Sequence, residues 1–378
     1  MKKSPTEDLP PALKRGQTKH AIIDLIGLFC LPGQIKLNDV MAIPYSKLRD
    51  QSRATLASQL PLAHPWSIYV ELTNRCNFKC KFCPESFDNY SELVGGLSTL
   101  SFDQFRKICD DILEMGKLKV LRFYMMGEPF LHKELPNMIA YAKKLEVAER
   151  FELTSNGTAL TEATGARVLD SGLDYLRISV YAIDAERHKE ITKSNIHPDL
   201  IRNNVRNLFE LRKREGKEKP FIYAKMINPF DDAEEKAFFE NYSDISDEAV
   251  IEQPMSWDNP EGFDFIDSVY DKDKEIDRTK LFAHRKEVCS FPFYTLVVHS
   301  SGDVSVCCVD WEKKTVCGNV FKESLKDIWD GPKLRAFQQM QVERRRHENA
   351  ACKNCTYLYT SPDNIDEITD IRTLYPDG

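Results

Sequence analysis

No stretch of this 378-residue sequence is long and apolar enough to span a bilayer, which takes ~20 consecutive apolar residues. The nearest approach is AIIDLIGLFCLPG (Ala21 to Gly33), which follows basic residues as a signal peptide would. Asp24 interrupts it, and Phe29 before Cys30 is too large for a lipoprotein processing site. It reads as an amphipathic helix packed on the body. Surplus positive charge is also missing: 52 Lys and Arg against 59 Asp and Glu leave a net charge of −7. That balance excludes broad electrostatic binding to nucleic acid or to an anionic membrane. There is no low-complexity tract, and no internal repeat beyond a strand–helix period. With 42% hydrophobic and 29% charged residues, what remains is an ordinary globular chain, long enough for about two domains at ~100–200 residues each.

A disulfide framework is absent as well. The eleven cysteines stand at 30, 76, 80, 83, 109, 289, 307, 308, 317, 352 and 355. Tight clusters in a large chain point to reduced thiolates that bind metal in the cytoplasm. Cys30 and Cys109 stand alone. Cys109 lies in FRKICDDIL, whose spacing suits a helix, and reads as a small buried apolar side chain.

Residues 1–63 form a helical preface that includes SKLRDQSRATLASQL. From residue 64 to about 257, strand and helix patterns alternate. SIYVELT, KVLRFYMMG, RFELTSNG, YLRISVYA, FIYAKMI and AVIEQPM read as strands. SFDQFRKICDDILEMG opens on Ser101 as an N-cap and closes on Gly116; further helices fall in the other gaps. The fold class is therefore α/β. Six units of this kind imply a parallel sheet with helices outside, a partial (β/α)6 TIM-like barrel with function at the C-terminal strand ends. Residues 258–288 read as a charge-rich linker, 289–360 as a small cysteine-rich hairpin and helix domain, and 361–378 as a polar tail.

The run ELTNRCNFKCKFCPE sets Cys76, Cys80 and Cys83 at C-x3-C-x2-C, directly after the first strand. Thiolates at this spacing bind zinc or an iron–sulfur cluster. Structural zinc wants four ligands, and His64 lies on the wrong side of a strand, so a cubane with one iron left open fits better. With Phe82 before the third cysteine, the run resembles the signature of the radical S-adenosylmethionine (SAM) superfamily. The resemblance implies a [4Fe–4S] cluster whose open iron chelates SAM. It also implies reductive cleavage of SAM to methionine and a 5′-deoxyadenosyl radical that abstracts hydrogen.

Three further stretches fit that resemblance. MMGEP resembles the family's Gly-Gly-Glu motif with Met126 in place of the first Gly, and it implies that Gly127 and Glu128 meet the SAM ammonium. TSNGT offers Ser155 and Asn156 as polar contacts to SAM, and ISVYAID places Ser179 similarly. Each is an ordinary turn or strand-end sequence alone; their order downstream of the cysteines makes them a set. Arg177 in LRISV and Lys225 in YAKMI either face the barrel interior, touching SAM or substrate, or are structural charges.

The C-terminal region carries CSFPFYTLVVHSSGDVSVCCVDW, then VCGNVFKESLKDIWDGPKLRAF, then CKNC. Gly302 marks the turn of a hairpin, and ESLKDIWDGPKLRAFQQMQ reads as helical. A zinc ribbon is one reading. GNVFKESLKDIWDGPK resembles the auxiliary-cluster domain of radical SAM enzymes known as SPASM, here in its shortened twitch form because no cysteine follows Cys355. The resemblance implies one auxiliary [4Fe–4S] cluster on Cys289, Cys307, Cys352 and Cys355, with the spacing of 2-deoxy-scyllo-inosamine dehydrogenase-type enzymes, which oxidise an alcohol. Neighbouring strand residues point to opposite faces, so Cys307 and Cys308 do not share a cluster. Cys317 is a buried thiol or a substitute ligand.

The substrate belongs at the barrel mouth, where Glu71, Tyr124, Gln253 and Trp257 are candidate lining residues. The preface lacks a strand-rich winged-helix pattern for holding a leader peptide. That favours a small polyol, sugar or nucleotide-sugar that is oxidised, epimerised or dehydrated, ahead of a peptide or protein side chain. The resemblance implies a flavodoxin- or ferredoxin-like reductant. Readings from another class are an electron-transfer iron–sulfur protein and a zinc-binding protein.

Overall fold

The computed structural model describes residues 55–252, 286–361 and 363–376. The apolar run at 21–33, most of the expected helix at 46–60, Gln253, Trp257 and nearly all of the charge-rich 258–288 stretch lie outside the described residues. Of the preface, a short 3-10 helix at Leu56–Gln59 is described.

Strands β1 (Ser67–Val70), β2 (Leu118–Arg122), β3 (Ala148–Ser155), β4 (Tyr175–Val180), β5 (Phe221–Ile227) and β6 (Glu248–Glu252) follow in chain order. Each neighbouring pair is parallel. Helices fill the crossovers: α1 (Tyr90–Leu93) and α2 (Phe102–Met115), α3 (Leu135–Lys144), α4 (Glu162–Asp170), α5 (Ala185–Thr192) and α6 (Pro198–Arg214), and α7 (Asp232–Tyr242). This is the partial (β/α)6 barrel.

Local chemistry sets the boundaries. Ser101 and Gln104 form a reciprocal capping box at the start of α2, and Gly116 ends it. Along α6, Ile201, Val205, Leu208 and Arg212 are buried at helical spacing, so one face packs inward. Strand residues alternate: Ile68, Val70, Leu121, Phe151, Leu153, Leu176, Ile178, Ile222 and Ala224 join the main core under the helices. Each large one contributes roughly 1.5–3 kcal/mol on burial. The alternate set, Tyr69, Arg122, Glu152, Arg177, Tyr223 and Lys225, occupies the other face, and it is polar.

Three features differ from the sequence expectations. The C-terminal hairpin, β7 (Thr295–Val298) and β8 (Asp303–Ser305), is not a separate sheet. Strand β7 pairs parallel with β1, Ser67 opposite Thr295 through Val70 opposite Val298. With β9 (Val316–Asn319) it makes one nine-stranded sheet of order β6-β5-β4-β3-β2-β1-β7-β8-β9. The apolar runs of β1 and β7 are buried on both faces, as a sheet continuing through them requires. The expected single helix after residue 322 is two, α8 (Leu325–Asp330) and α9 (Pro332–Val342), because Pro332 restarts the chain at N1 after Gly331.

The third correction concerns the polar tail expected at 361–378, of which residues 361 and 363–376 are described. They are packed. Ile365 is fully buried in a cluster with Leu56, Trp66, Val288, Phe293 and Val342, and Ile368, Ile371 and Leu374 lie against it. The apolar residues recur every third position, a spacing that a tail would not need. Among the described residues, no helix is long and apolar enough to cross a membrane.

Candidate active site

The loop after β1 carries Cys76, Cys80 and Cys83, and neighbouring elements fix it in place. Gly127, in the loop after β2, has φ +74°, and a Cβ there would clash with Thr73 O and sit 2.9 Å from both Arg75 N and Arg75 O. Only glycine lets the two loops touch so closely. Glu128 N donates to Arg75 O at 2.8 Å.

The Glu128 carboxylate, 2% exposed, is fully engaged. Its Oε1 accepts from Ser155 Oγ at 2.7 Å and Phe130 N at 3.0 Å, and Oε2 accepts from Asn156 N at 2.7 Å. Burial pushes its pKa up, and these hydrogen bonds oppose the rise. Asn156 in turn donates to Asn77 Oδ1 at 2.9 Å, inside the cysteine loop. Gly127, Glu128, Ser155 and Asn156 are thus brought together, with their side chains bracing the loop. Ser179 lies near the end of β4, opposite Lys225 of β5.

Around the thiols the environment is desolvated and aromatic. Burial raises the Cys76 thiol to about 12 and pushes Cys80 and Cys83 up as well, with each thiol's neighbours contributing. Tyr181 stacks on Phe82, ring centroids 5.8 Å apart, and its hydroxyl reaches Cys80. Phe78 N donates to Cys76 Sγ at 3.4 Å. Tyr181 was not singled out from the sequence, although it stands two residues past Ser179 in the same strand-end run.

The second group assembles from distant segments. Cys289, Cys307, Cys352 and Cys355 line one small cavity, together with Gln341, Arg346 and Asp310. Burial raises Cys289 to about 12 and pushes Cys352 up. Tyr357 N donates to Cys355 Sγ at 3.3 Å. Cys308 does not line the cavity; its Sγ meets Tyr357 Oη at 3.4 Å, with Tyr69 and Arg122 also beside it. A hydrogen bond with Cys307 lowers the Cys308 thiol, so the two side chains meet rather than pointing to opposite faces, because both lie past the end of β8. Buried Cys317 donates to Val304 O at 3.3 Å and is not part of the cavity wall. Cys109 is fully buried in α2.

The donor sets suit iron–sulfur clusters. None of the ten described cysteines is in a disulfide. Among the described residues, no three Cys, His, Asp or Glu side chains enclose a site for one metal ion. A multi-iron cluster does not need that geometry, because each thiolate takes its own iron. Stripping water from several thiolates is costly unless a cation replaces it, and a cluster supplies that cation.

The strand face turned away from the helix-covered core is polar, and on β1 and β2 it meets Cys308 through Tyr69 and Arg122. Arg122 Nε meets Glu152 at 2.8 Å, and Arg150 also pairs with Glu152. Arg177 and Lys225 both reach Glu252 at 2.9 Å, and Tyr223 Oη donates to it at 3.3 Å. Burial lowers Lys225, although Glu252 opposes the shift. Tyr124 packs edge-on against Tyr69, centroids 5.4 Å apart. Glu71, expected at the mouth, is instead 2% exposed. Its carboxylate accepts from Ser300 Oγ at 2.7 Å, Ser300 N at 3.2 Å and Met126 N at 3.4 Å, tying β1 to the hairpin. A buried carboxylate needs such partners, and the hairpin provides them.

Comparison with known proteins now identifies the two regions. The model of the radical SAM superfamily matches residues 70–222, and that of the SPASM iron–sulfur cluster-binding domain matches residues 289–356. The chain belongs to the radical SAM superfamily and carries a SPASM domain. Its cofactors are accordingly SAM, a SAM-binding [4Fe–4S] cluster and auxiliary iron–sulfur ligation. A tungsten-containing aldehyde ferredoxin oxidoreductase cofactor-modifying protein of Pyrococcus furiosus is 24% identical over 323 residues, 76% of this chain and 86% of that protein. A probable GTP 3′,8-cyclase of Sulfolobus acidocaldarius is 35% identical over 132 residues, 35% of this chain and 39% of that protein. The chain therefore matches little more than a third of the cyclase's length. Native anSMEcpe with bound AdoMet and a Kp18Cys peptide has the same fold, at TM-score 0.54 and 13% identity over 82% of this chain and 94% of that one.

Proposed function

We propose that this radical SAM enzyme abstracts a hydrogen atom from a small polyol, sugar or nucleotide-sugar and that its auxiliary cluster handles an electron of the reaction. In this reading Cys76, Cys80 and Cys83 hold the SAM-binding cluster, and Cys289, Cys307, Cys352 and Cys355 hold one auxiliary cluster. When bound, the first cluster supplies the electron that cleaves SAM and releases the hydrogen-abstracting radical. The chain divides into a preface at 1–63, the barrel at 64–257, a linker at 258–288 and the auxiliary domain from 289.

The observation that carries the substrate reading is the polar face of the barrel strands. Strand β7 runs parallel to β1, so Cys289, which precedes β7, belongs to the sheet edge opposite the Cys76 loop. The strand face carries Tyr69, Arg122, Glu152, Arg177 and Lys225, with Tyr124 and Glu252 at the C-terminal strand ends. Such side chains recognise hydroxyls and charges, and the half-buried Lys225–Glu252 pair can hold or release a proton beside a bound hydroxyl. Gly127 and Glu128 keep the SAM end rigid by bracing the cysteine loop. Tyr181 and Phe82 cover the thiols and exclude water. A flavodoxin- or ferredoxin-like reductant and a cytoplasmic setting suit the free thiols.

A second reading is action on a peptide or on another protein's cofactor. It is favoured by the length over which the Pyrococcus furiosus relative aligns. One experiment separates the two. The reduced, anaerobic enzyme is given SAM with deuterated polyols or nucleotide-sugars, and 5′-deoxyadenosine is analysed for deuterium. Transfer from a polyol or sugar supports the first reading; transfer only from peptide or cofactor substrates overturns it.

A further inference from the structure

The wall of the auxiliary cavity contains two side chains that the ligand set does not use. Gln341, fully buried on α9, points its Nε2 at Cys352 Sγ, 3.8 Å away, a distance suited to a sulfur acceptor. Its Oε1 is buried without a hydrogen-bond partner. Arg346 anchors one end by donating Nη2 to Cys355 O at 2.7 Å, while its Nε is buried without a partner in the same wall. The Arg346 charge acts on the Cys289 and Cys352 thiols. Asp310, in the same wall, opposes it at Cys352. Lys314 N, Thr315 N and Thr315 Oγ1 already hold that carboxylate, at 2.8, 2.7 and 2.6 Å.

The first thiol group has more carboxylate around it. Cys76 faces the buried carboxylates Glu128 and Glu85. The nearby cation is Lys79, half-exposed and already paired with Glu85 at 2.8 Å. A positive charge and N–H donors at the sulfurs stabilise the reduced, more negative form of a cluster, and neighbouring carboxylates disfavour it.

We propose that Arg346 and Gln341 are positioning residues that raise the reduction potential of the auxiliary cluster, making that site the better electron acceptor of the two. The assignment rests on the four-thiol site proposed above.

The test is an EPR-monitored redox titration of the full-length, anaerobically reconstituted Cys76/Cys80/Cys83→Ala chain, in which the auxiliary cluster is the remaining iron centre. It is compared with the same chain carrying Arg346→Met, Arg346→Lys or Gln341→Leu, with iron and sulfide counted in each. Arg346→Met is expected to lower the reduced-to-oxidised ratio at a fixed potential about tenfold, a shift of about 59 mV for one electron. Gln341→Leu shifts it the same way by less, and Arg346→Lys lies nearer the parent. Unchanged midpoints in both Arg346→Met and Gln341→Leu, with iron retained, overturn the proposal. Iron loss in both Arg346 variants makes Arg346 a strut for the Cys355 carbonyl and overturns its part, leaving Gln341→Leu to decide the rest. Failure of the underlying site looks different: the parent would hold no cluster, or Cys352→Ala would leave its iron count unchanged.

Discussion

The two thiol groups are built in opposite ways. Cys76, Cys80 and Cys83 come from one loop eight residues long, braced from outside by Gly127, Glu128 and Asn156. Cys289, Cys307, Cys352 and Cys355 come from three separate segments, before β7, after β8 and beyond α9, gathered around one cavity. The loop group sits among buried carboxylates and keeps three thiols; the gathered group sits beside Arg346 and has four. Three ligands leave a coordination position open for chemistry, whereas four close the cluster and leave it electrons to exchange. In the proposed function construction follows role: the reactive site is local and externally supported, and the electron site depends on the hairpin joining the barrel sheet.

The sharpest way to break this comparison is Cys80→Ala. It should abolish SAM cleavage by at least ~1,000-fold with the fold intact by circular dichroism, because in the proposed ligand set Cys80 supplies one of the three thiolates. Cys352→Ala should leave uncoupled 5′-deoxyadenosine formation within ~3-fold while product formation falls ~100-fold, as for loss of a metal-site partner. Equal loss of cleavage in both variants contradicts the division of roles.

Gly127→Ala tests the external bracing. A Cβ at φ +74° clashes with Thr73 O, so thermal unfolding should show a loss of roughly 1–3 kcal/mol. Reconstitution of the loop cluster should suffer while auxiliary iron persists.

The smallest effect concerns the polar face of the barrel strands. Burial alone would raise Glu252, but Lys225 and Arg177 outweigh it and bring the pKa from 4.5 to about 2. Its folded-state pKa is depressed, so its contribution to stability is complete above about pH 4.5 and is lost as pH falls through about 2. Glu252→Gln should flatten acid-induced unfolding in that window without altering iron content.

What could be read from the sequence divides along the same line. The barrel was legible because each strand–helix unit carries its own period and caps, as with Ser101, Gln104 and Gly116 around α2. The cysteine loop was legible because its ligands are neighbours. The union of β7 with β1 was not, since parallel pairing across more than 200 residues leaves no local mark; the apolar TLVV run of β7 fits a lone hairpin equally well. For the same reason Glu71 looked like a mouth residue, when its partners are Ser300 and His299 on the hairpin turn. The packed C-terminal segment was missed because Ile365, Ile368, Ile371 and Leu374 are diluted among charges, and a spacing of three fits neither a strand nor a long helix. Tyr181 carried no signal beyond its place at a strand end.

The most direct test of the central claim is the iron and labile sulfide content per chain of anaerobically reconstituted protein, measured for the wild type and for Cys76/Cys80/Cys83→Ala. About eight irons falling to about four establish two four-iron clusters with separate ligand sets. About four irons falling to none, or zinc in place of iron, would contradict the account.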